Sequence, residues 1–142
     1  MGKRRRSREL AIQVLYHLEF SRDDPGTAFD LVCDNFGASE EIKAFSRELV
    51  VGICGRLKEL DRLIGEASKN WRLERIAKVE RSILRLAVYE LLCKEDIPPK
   101  VSLNEAVDLG NKFGTEESGA FINGVLDNIY NTLMTQKKSL SL

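Results

Sequence analysis

The sequence has few of the residues that bind metals or transfer protons. Its 142 residues include one histidine, His17, and three cysteines, no two of which form a Cys-x-x-Cys pair. A structural zinc site needs four closely placed Cys or His ligands. We therefore predict no metal and no cofactor. We interpret Cys33, Cys54 and Cys93 as small buried apolar residues of a protein in the reducing cytoplasm.

Sequence motifs of catalysis are also missing. The chain has no Gly-x-x-x-x-Gly-Lys-[Ser/Thr] phosphate loop, no Gly-x-Gly-x-x-Gly and no Gly-x-Ser-x-Gly. A single histidine offers no Ser-His-Asp set. Two acidic pairs, Glu40–Glu41 and Glu116–Glu117, stand where helices are expected to begin, and the helix dipole accounts for them there. We predict that the protein is not an enzyme.

Prolines, aromatic residues and long apolar runs are scarce. Three prolines and 7% aromatic residues favour a helical protein over a sandwich or barrel, and 43% apolar residues supply a core. No apolar run approaches the roughly 20 residues needed to span a bilayer, so we predict no membrane association.

Apolar residues recur with helical spacing along the chain, and no segment alternates as a strand would. The most hydrophobic segment, about 74–95, is apolar on two sides, as in a helix packed between others. Glu90 falls on one of these apolar faces, and we interpret it as one member of a structural ion pair. The spacing predicts an all-α fold of about six to seven helices. They are expected from Leu10, after Pro25, over about 40–68, over about 74–95, over about 103–113 with Ser102 as cap, and over about 116–134. Within 40–68, Gly52 and Gly55 either divide the helix or let another helix approach.

Positive charge is concentrated at the start of the chain. Residues 1–8 carry +5, so the rest of this neutral chain carries −5. The five cations repel one another, and we expect a basic arm that is disordered alone and orders on phosphates. A solvated tail is the alternative. The cations are Lys3, Arg4, Arg5, Arg6 and Arg8.

The first helix offers an aromatic side chain beside this arm. If the helix extends back into the arm, Arg5, Gln13 and Tyr16 share one side with Glu9 and Ile12. Tyr16 would then be a stacking platform for a base. The alternative is that Tyr16, with Ile12 and Phe20, covers a second packing surface.

Four blocks of sequence stand in an order known from one family. The first is Arg4–Glu9 followed by Ala11, Leu15 and Tyr16, and the others span 79–91, 97–107 and 112–127. The third begins at Ile97-Pro98, and the fourth contains Lys112-Phe113-Gly114 and Asn123-Gly124-Val125-Leu126-Asp127. Together they resemble the NusB family of bacterial transcription antitermination factors. Residues 22–72 carry little of the family's signature.

The resemblance implies a fold and a function. The fold would be two perpendicular three-helix bundles, with a basic RNA-binding arm at 1–8, one helical domain at 9–135 and a frayed tail at 136–142. The function would be pairing with ribosomal protein S10 (NusE) to bind single-stranded boxA RNA. The pair would act with the RNA polymerase antitermination complex to suppress termination, notably in ribosomal RNA operons. The alternative is a NusB-like helical adaptor acting in ribosomal RNA maturation or modification.

The same resemblance implies the residues of two surfaces. Glu74 and Glu80 would face S10. Phe121 has a second interpretation, because it stands four residues before Val125 and would fit a core. The RNA surface would comprise Lys3, Arg4, Arg5, Arg6, Arg8, Gln13, Tyr16, Lys112, Phe113, Glu117 and Phe121.

Overall fold

All regular structure in the described part of the chain is helical. The computed structural model describes residues 2–68 and 72–141. The seven α-helices in these ranges confirm the predicted all-α fold and the expected number of helices. The elements are α1 (Lys3–Leu18), α2 (Pro25–Phe36), α3 (Glu40–Gly55), α4 (Leu57–Ala67), a single 3-10 turn (Leu73–Arg75), α5 (Lys78–Cys93), α6 (Pro99–Phe113) and α7 (Ser118–Ser141). The chain divides into two compact units, Met1–Leu57 and Lys58–Leu142, and each is described by itself.

In the first unit, α1, α2 and α3 pack against one another. The ends of these helices follow from local chemistry. The Asp24 carboxylate accepts a hydrogen bond from the backbone N–H of Thr27 and caps α2, and Gly37, at φ 72°, ends it. Ser39 caps α3 in the same way. The core comprises Leu10, Ala11, Ile12, Val14, Leu15, Ala28, Phe29, Cys33, Leu49, Val50 and Ile53.

The start of α1 corrects the expectation of a disordered arm, because the helix begins at Lys3. The Ser7 hydroxyl donates to the backbone carbonyls of Lys3 (2.9 Å) and Ile42 (3.1 Å), which ties α1 to the first turn of α3. Ser7, Arg8 and Glu9 are all buried. These tertiary contacts order the basic residues despite their repulsion.

In the second unit, α5 is the central helix. Every residue from Ser82 to Glu90 is buried, which confirms that the helix is enclosed on two sides. Arg85 and Asp61 of α4 form a bidentate pair, with nitrogen–oxygen distances of 2.8 and 3.0 Å. The Asn128 amide of α7 donates to the Ala67 carbonyl at the end of α4. The core comprises Leu60, Ile64, Ile83, Leu84, Leu86, Val88, Leu109, Ile122, Leu126 and Ile129.

The start of α6 differs from the prediction. The helix begins at Pro99 rather than near 103, because proline has a backbone φ suited to the first helical position and needs no N–H partner there. Ser102 is therefore inside the helix and does not cap it. Its hydroxyl donates to the buried carboxylate of Glu90 at 2.7 Å. A carboxylate that is removed from water needs hydrogen-bond donors around it, and the Ser102 hydroxyl is one such donor for Glu90.

Other element boundaries also differ from expectation. The stretch at 40–68 is two helices, since α3 ends at Gly55 and α4 begins at Leu57, which confirms the first of the two alternatives for this stretch. α1 runs across the expected domain limit at 8/9, and α7 continues to Ser141 through the tail that we expected to be frayed. Met1 and Leu142, at the ends of the predicted arm and tail, lie outside the described residues. The single domain at 9–135 stays a prediction.

The turn between α6 and α7 leaves no room for a side chain at Gly114. A Cβ built there would lie 2.6 Å from the Ser118 Cβ and 2.9 Å from the Gly110 carbonyl oxygen. Ser118 is buried, and its hydroxyl accepts the Thr115 backbone N–H at 2.8 Å. The Gly-Thr-Glu-Glu-Ser segment is therefore a closely packed turn. Gly124 of α7 differs, because a Cβ there would have no atom within 4 Å.

These two glycines predict opposite effects on stability. Gly114→Ala should lower the free energy of unfolding by about 1–3 kcal/mol, because backbone and Cβ atoms must move apart. Gly124→Ala should raise it by up to about 1 kcal/mol, because alanine favours an exposed helix interior. Denaturant unfolding of both variants measures the difference. Equal effects at the two sites would contradict the packed turn.

Candidate nucleic-acid interface

The first turn of α1 is a strongly positive helix end. It contains Lys3, Arg4, Arg5 and Arg6 and no acidic residue, and its N-cap, Gly2, has no side chain that accepts a hydrogen bond. The N–H groups at a helix amino terminus carry partial positive charge. Added cations are unfavourable there, whereas an anion is favoured. The arrangement is therefore suited to binding phosphate.

Aromatic rings and carboxylates hold the cations in place. The guanidinium of Arg4 lies 4.1 Å from the centre of the Phe45 ring of α3. Arg6 lies 4.1 Å above the Phe36 ring of α2 and also donates to Glu9 at 3.0 Å. Such cation–π contacts leave the edge of the guanidinium able to donate hydrogen bonds outward.

The five predicted cations differ in exposure. Lys3 is exposed and pairs with the exposed Glu41 at 2.6 Å. Arg4 is exposed, and Arg5 and Arg6 are half-buried. Arg8 is only 3% exposed. A phosphate can reach the first four cations at the surface, while the predicted RNA contact of Arg8 has almost no exposed surface in this structure.

Further along α1, the predicted RNA side is only partly exposed. Gln13 and Tyr16 are exposed, and Tyr16 retains 39% of its accessible surface. Glu9 and Ile12, expected on the same side, are buried. The surface therefore consists of the basic first turn and, two to three turns later, an amide beside an aromatic ring.

Sequence reasoning assigned Phe20 only to an alternative packing surface. In the structure, Phe20 follows the end of α1 and is 64% exposed. Its ring centre lies 5.0 Å from that of Tyr16, with the planes at 65°. The sequence signal was the four-residue spacing from Tyr16, but spacing alone does not distinguish a buried ring from an exposed one.

The second unit contains the remaining predicted RNA residues around the α6–α7 turn. Lys112 is exposed, and its amino group lies 5.4 Å from the centre of the half-buried Phe113 ring. Glu117 is exposed just before α7, and Phe121 is half-buried in its first turn. Cation, carboxylate and rings thus lie at the two helix ends that the turn connects. The half-burial of Phe121 leaves both of its interpretations open.

The residues predicted to face S10 lie at the start of α5. Glu74 is exposed in the 3-10 turn, and Glu80 is half-buried in the first turn of α5. Arg81 donates to the Leu73 carbonyl at 3.1 Å, so the 3-10 turn is tied to the helix. The two carboxylates thus belong to one connected segment, which also carries the cations Arg75, Lys78 and Arg81.

The described residues also bear on the expectations about metal ions, cysteines and the membrane. No group of three His, Cys, Asp or Glu side chains in residues 2–68 and 72–141 is placed to hold a metal ion. Cys33 is buried as expected, and this burial raises the pKa of its thiol. Cys54 and Cys93 are only half-buried, which corrects the interpretation of all three as buried residues. Within residues 2–68 and 72–141, every helix is too short or too polar to span a bilayer.

Comparisons with known proteins give one consistent result. Residues 5–131 match the sequence model of the NusB family. Transcription antitermination protein NusB of Desulfatibacillum aliphaticivorans is 46% identical over 139 residues, which are 98% of this chain and 97% of that protein.

Two solved structures agree with the sequence matches. NusB of T. maritima superposes with a TM-score of 0.83 at 38% identity, over 89% of each chain. A chain from a crystal structure of antitermination factors NusB and NusE in complex with dsRNA gives a TM-score of 0.85 at 30% identity, over 93% of this chain and 98% of that one. Because the family match covers most of the chain and the first relative is similar over nearly its full length, this chain belongs to the NusB family.

Proposed function

We propose that the protein is a transcription antitermination factor that binds RNA together with NusE, ribosomal protein S10. The observation that carries the proposal is the first turn of α1. There, four consecutive cations surround an uncapped helix amino terminus, and an exposed amide and ring follow on the same helix. Membership of the NusB family supports the same function.

On the first unit, we expect two kinds of RNA contact, one to phosphates and one to bases. Lys3, Arg4, Arg5 and Arg6 bind phosphates, since guanidinium groups donate two parallel hydrogen bonds to phosphate oxygens. Such contacts position a strand but do not read its sequence. The Gln13 amide has a donor and an acceptor for a base edge.

Around the α6–α7 turn, a second set of contacts is proposed. Lys112 binds phosphate, and Phe113 and Phe121 offer ring surface to a base. The carboxylate of Glu117 repels phosphate, so its favourable contact is acceptance of a hydrogen bond from a base amino group.

The preferred RNA is single-stranded and of the boxA type. Tyr16 presents an exposed ring, and bases stack on such rings when they are unpaired. In a duplex, the faces of the bases are already covered by their neighbours. Duplex RNA should therefore bind mainly through its phosphates.

NusE is proposed to contact the segment that carries Glu74 and Glu80. Outside residues 1–8 the chain has a net charge of −5, so it would attract a basic ribosomal protein over long range, and the two carboxylates would accept its cations. The pair would then join the RNA polymerase antitermination complex in the cytoplasm and suppress termination, notably in ribosomal RNA operons. The protein's role is regulatory binding rather than catalysis.

RNA affinity should depend on salt through the first turn of α1. Replacing Arg4, Arg5 and Arg6 together with Gln should weaken all RNAs and flatten the salt dependence by about 0.7 per lost phosphate contact, because fewer counterions are released. Glutamine keeps the aliphatic part of each side chain, including those of Arg4 and Arg6 beside their rings. The control is Arg47→Gln, which removes another cation–π contact in the same unit, 4.6 Å from the Phe29 ring. Titrations at several salt concentrations measure the slope, and an unchanged slope in the triple variant would refute the phosphate role.

Tyr16 and Phe121 should contribute ring contacts to RNA. Tyr16→Ala and Phe121→Ala are each expected to cost about 1–3 kcal/mol of binding, whereas Tyr16→Phe should retain most of it. Thermal melts on the same proteins separate binding from packing. If either alanine variant lowered the free energy of unfolding by about 3–5 kcal/mol, that residue would be a core residue and not an RNA contact.

Glu80→Lys should slow NusE association more than Glu80→Gln, because like charges would meet. RNA binding by the isolated protein should be equal or slightly stronger, since one anion is removed. Glu59→Lys is the matched control, because Glu59 also lies in the first turn of a helix of the second unit. Association kinetics with purified NusE, and titration of boxA RNA with and without it, provide the measurements. Normal NusE binding by Glu80→Lys would place the interface elsewhere, and RNA affinity unaffected by NusE would contradict the proposed function.

A further inference from the structure

The end of α1 displays two adjacent aromatic rings of which the proposed function uses only one. Phe20 is 64% exposed, and it stands edge-on to Tyr16 with ring centres 5.0 Å apart. Burying a phenylalanine side chain stabilises a fold, and this position gives up most of that stabilisation. A single exposed apolar residue needs no explanation, but here the exposed ring continues a surface that already contains Gln13 and Tyr16.

Hydrogen bonds hold the Phe20 backbone in one conformation. Its N–H donates to the His17 carbonyl at 3.0 Å. The following segment is fixed by the contact of His17 Nε2 with Asp23 Oδ2 at 3.1 Å, and by the Asp23 N–H donating to the Ser21 hydroxyl at 3.3 Å. The ring is therefore presented from a preorganised turn, which reduces the entropy lost when a ligand binds.

We propose that Phe20 binds a second unpaired nucleobase, so that Tyr16 and Phe20 form a two-ring platform for single-stranded RNA. The inference rests on the proposed function, because the RNA is anchored by the basic first turn. The two ring planes meet at 65°, so one flat base cannot stack on both rings. Two neighbouring bases must splay apart to use them, which an unpaired strand can do and a duplex cannot.

The size and position of the platform favour a nucleobase over a protein. Two rings are a small surface, whereas a specific protein interface buries more than about 1,000 Å² in total. Arg6 and Tyr16 are ten residues apart on one helix, or roughly 15 Å along its axis. A strand whose phosphates lie at the amino end of α1 can therefore place its bases at the other end.

The test compares four variants of the full-length protein. Phe20→Ala should bind single-stranded boxA RNA about fivefold or more weakly than the original protein. Phe20→Leu should be similarly weak, because leucine keeps apolar bulk but lacks an aromatic face. Phe20→Trp should restore binding. The matched control is Leu31→Ala on α2, which removes another exposed apolar side chain of the same unit and should change nothing.

A fluorescent base provides a direct readout of stacking. RNA that carries 2-aminopurine at successive positions should show quenching at one position that is lost in Phe20→Ala and kept in Tyr16→Ala. Duplex RNA should bind equally to the original protein and to Phe20→Ala. Thermal melts should be unchanged, because the side chain is exposed.

The outcomes separate this inference from the proposed function. If Tyr16→Ala weakens RNA binding and Phe20→Ala does not, the platform is wrong and the function stands. If Phe20→Leu binds as the original protein does, ring stacking is excluded. If Phe20→Ala loses NusE and not RNA, the surface is a protein interface and the inference fails. If no RNA binds with or without NusE, both fail.

Discussion

Positive charge at the amino end of a helix opposes the helix dipole, and α1 begins with a lysine and three arginines in succession. Each such charge costs about 0.3–1 kcal/mol near the surface. The rings of Phe36 and Phe45 face two of the guanidinium groups at 4.1 Å, and contacts of this kind return roughly 0.5–1 kcal/mol each at exposed sites. Four charges oppose the dipole and these two ring contacts offset part of that cost, so the packing of α1 on α2 and α3 and the hydrogen bonds of Ser7 stabilise the helical turn.

An ordered basic turn loses less backbone entropy on binding RNA than a disordered arm does. A segment that folds on binding loses backbone entropy at that moment and gives up part of its interaction energy. Here the packing of α1 on α2 and α3 has already restricted the backbone. Under the proposed function, the phosphate contacts would therefore contribute more of their energy to affinity. The same packing fixes the register between the cations and Tyr16, because a helix places residues at set intervals.

Helical periodicity was sufficient to predict most of the fold. The apolar spacing located every long helix, and the two apolar sides of α5 correctly indicated a helix enclosed by others. The errors lie where a tertiary contact overrules a local signal. Ser102 resembles a cap in sequence, but Pro99 can begin the helix and the buried Glu90 engages the Ser102 hydroxyl.

The candidate site was less accessible to sequence reasoning. Composition indicated an anionic partner, and the resemblance to a family supplied the residues. Neither reports exposure, which depends on what packs around a side chain. Arg8 is buried although it belongs to the basic run, and Phe20 is exposed although its spacing fits a packing surface. These two positions show that the usable surface is set by the packing of α1 and not by its residue types alone.

Internal pairing of the basic residues also bears on selectivity. A protein that offered five unpaired cations would bind any RNA through phosphates, because this attraction is independent of sequence. Here Lys3 pairs with Glu41, Arg6 pairs with Glu9, and Arg8 is buried. Under the proposed function, each contact would be shared or exchanged when phosphate binds, which would lower the affinity for RNA in general. Under the proposed function, productive binding then requires base contacts and a partner in addition to charge. Joining the RNA surface of this protein to that of NusE can raise the affinity by about 10²-fold through effective concentration alone. If each surface binds RNA only weakly by itself, recognition of RNA depends on the assembled pair.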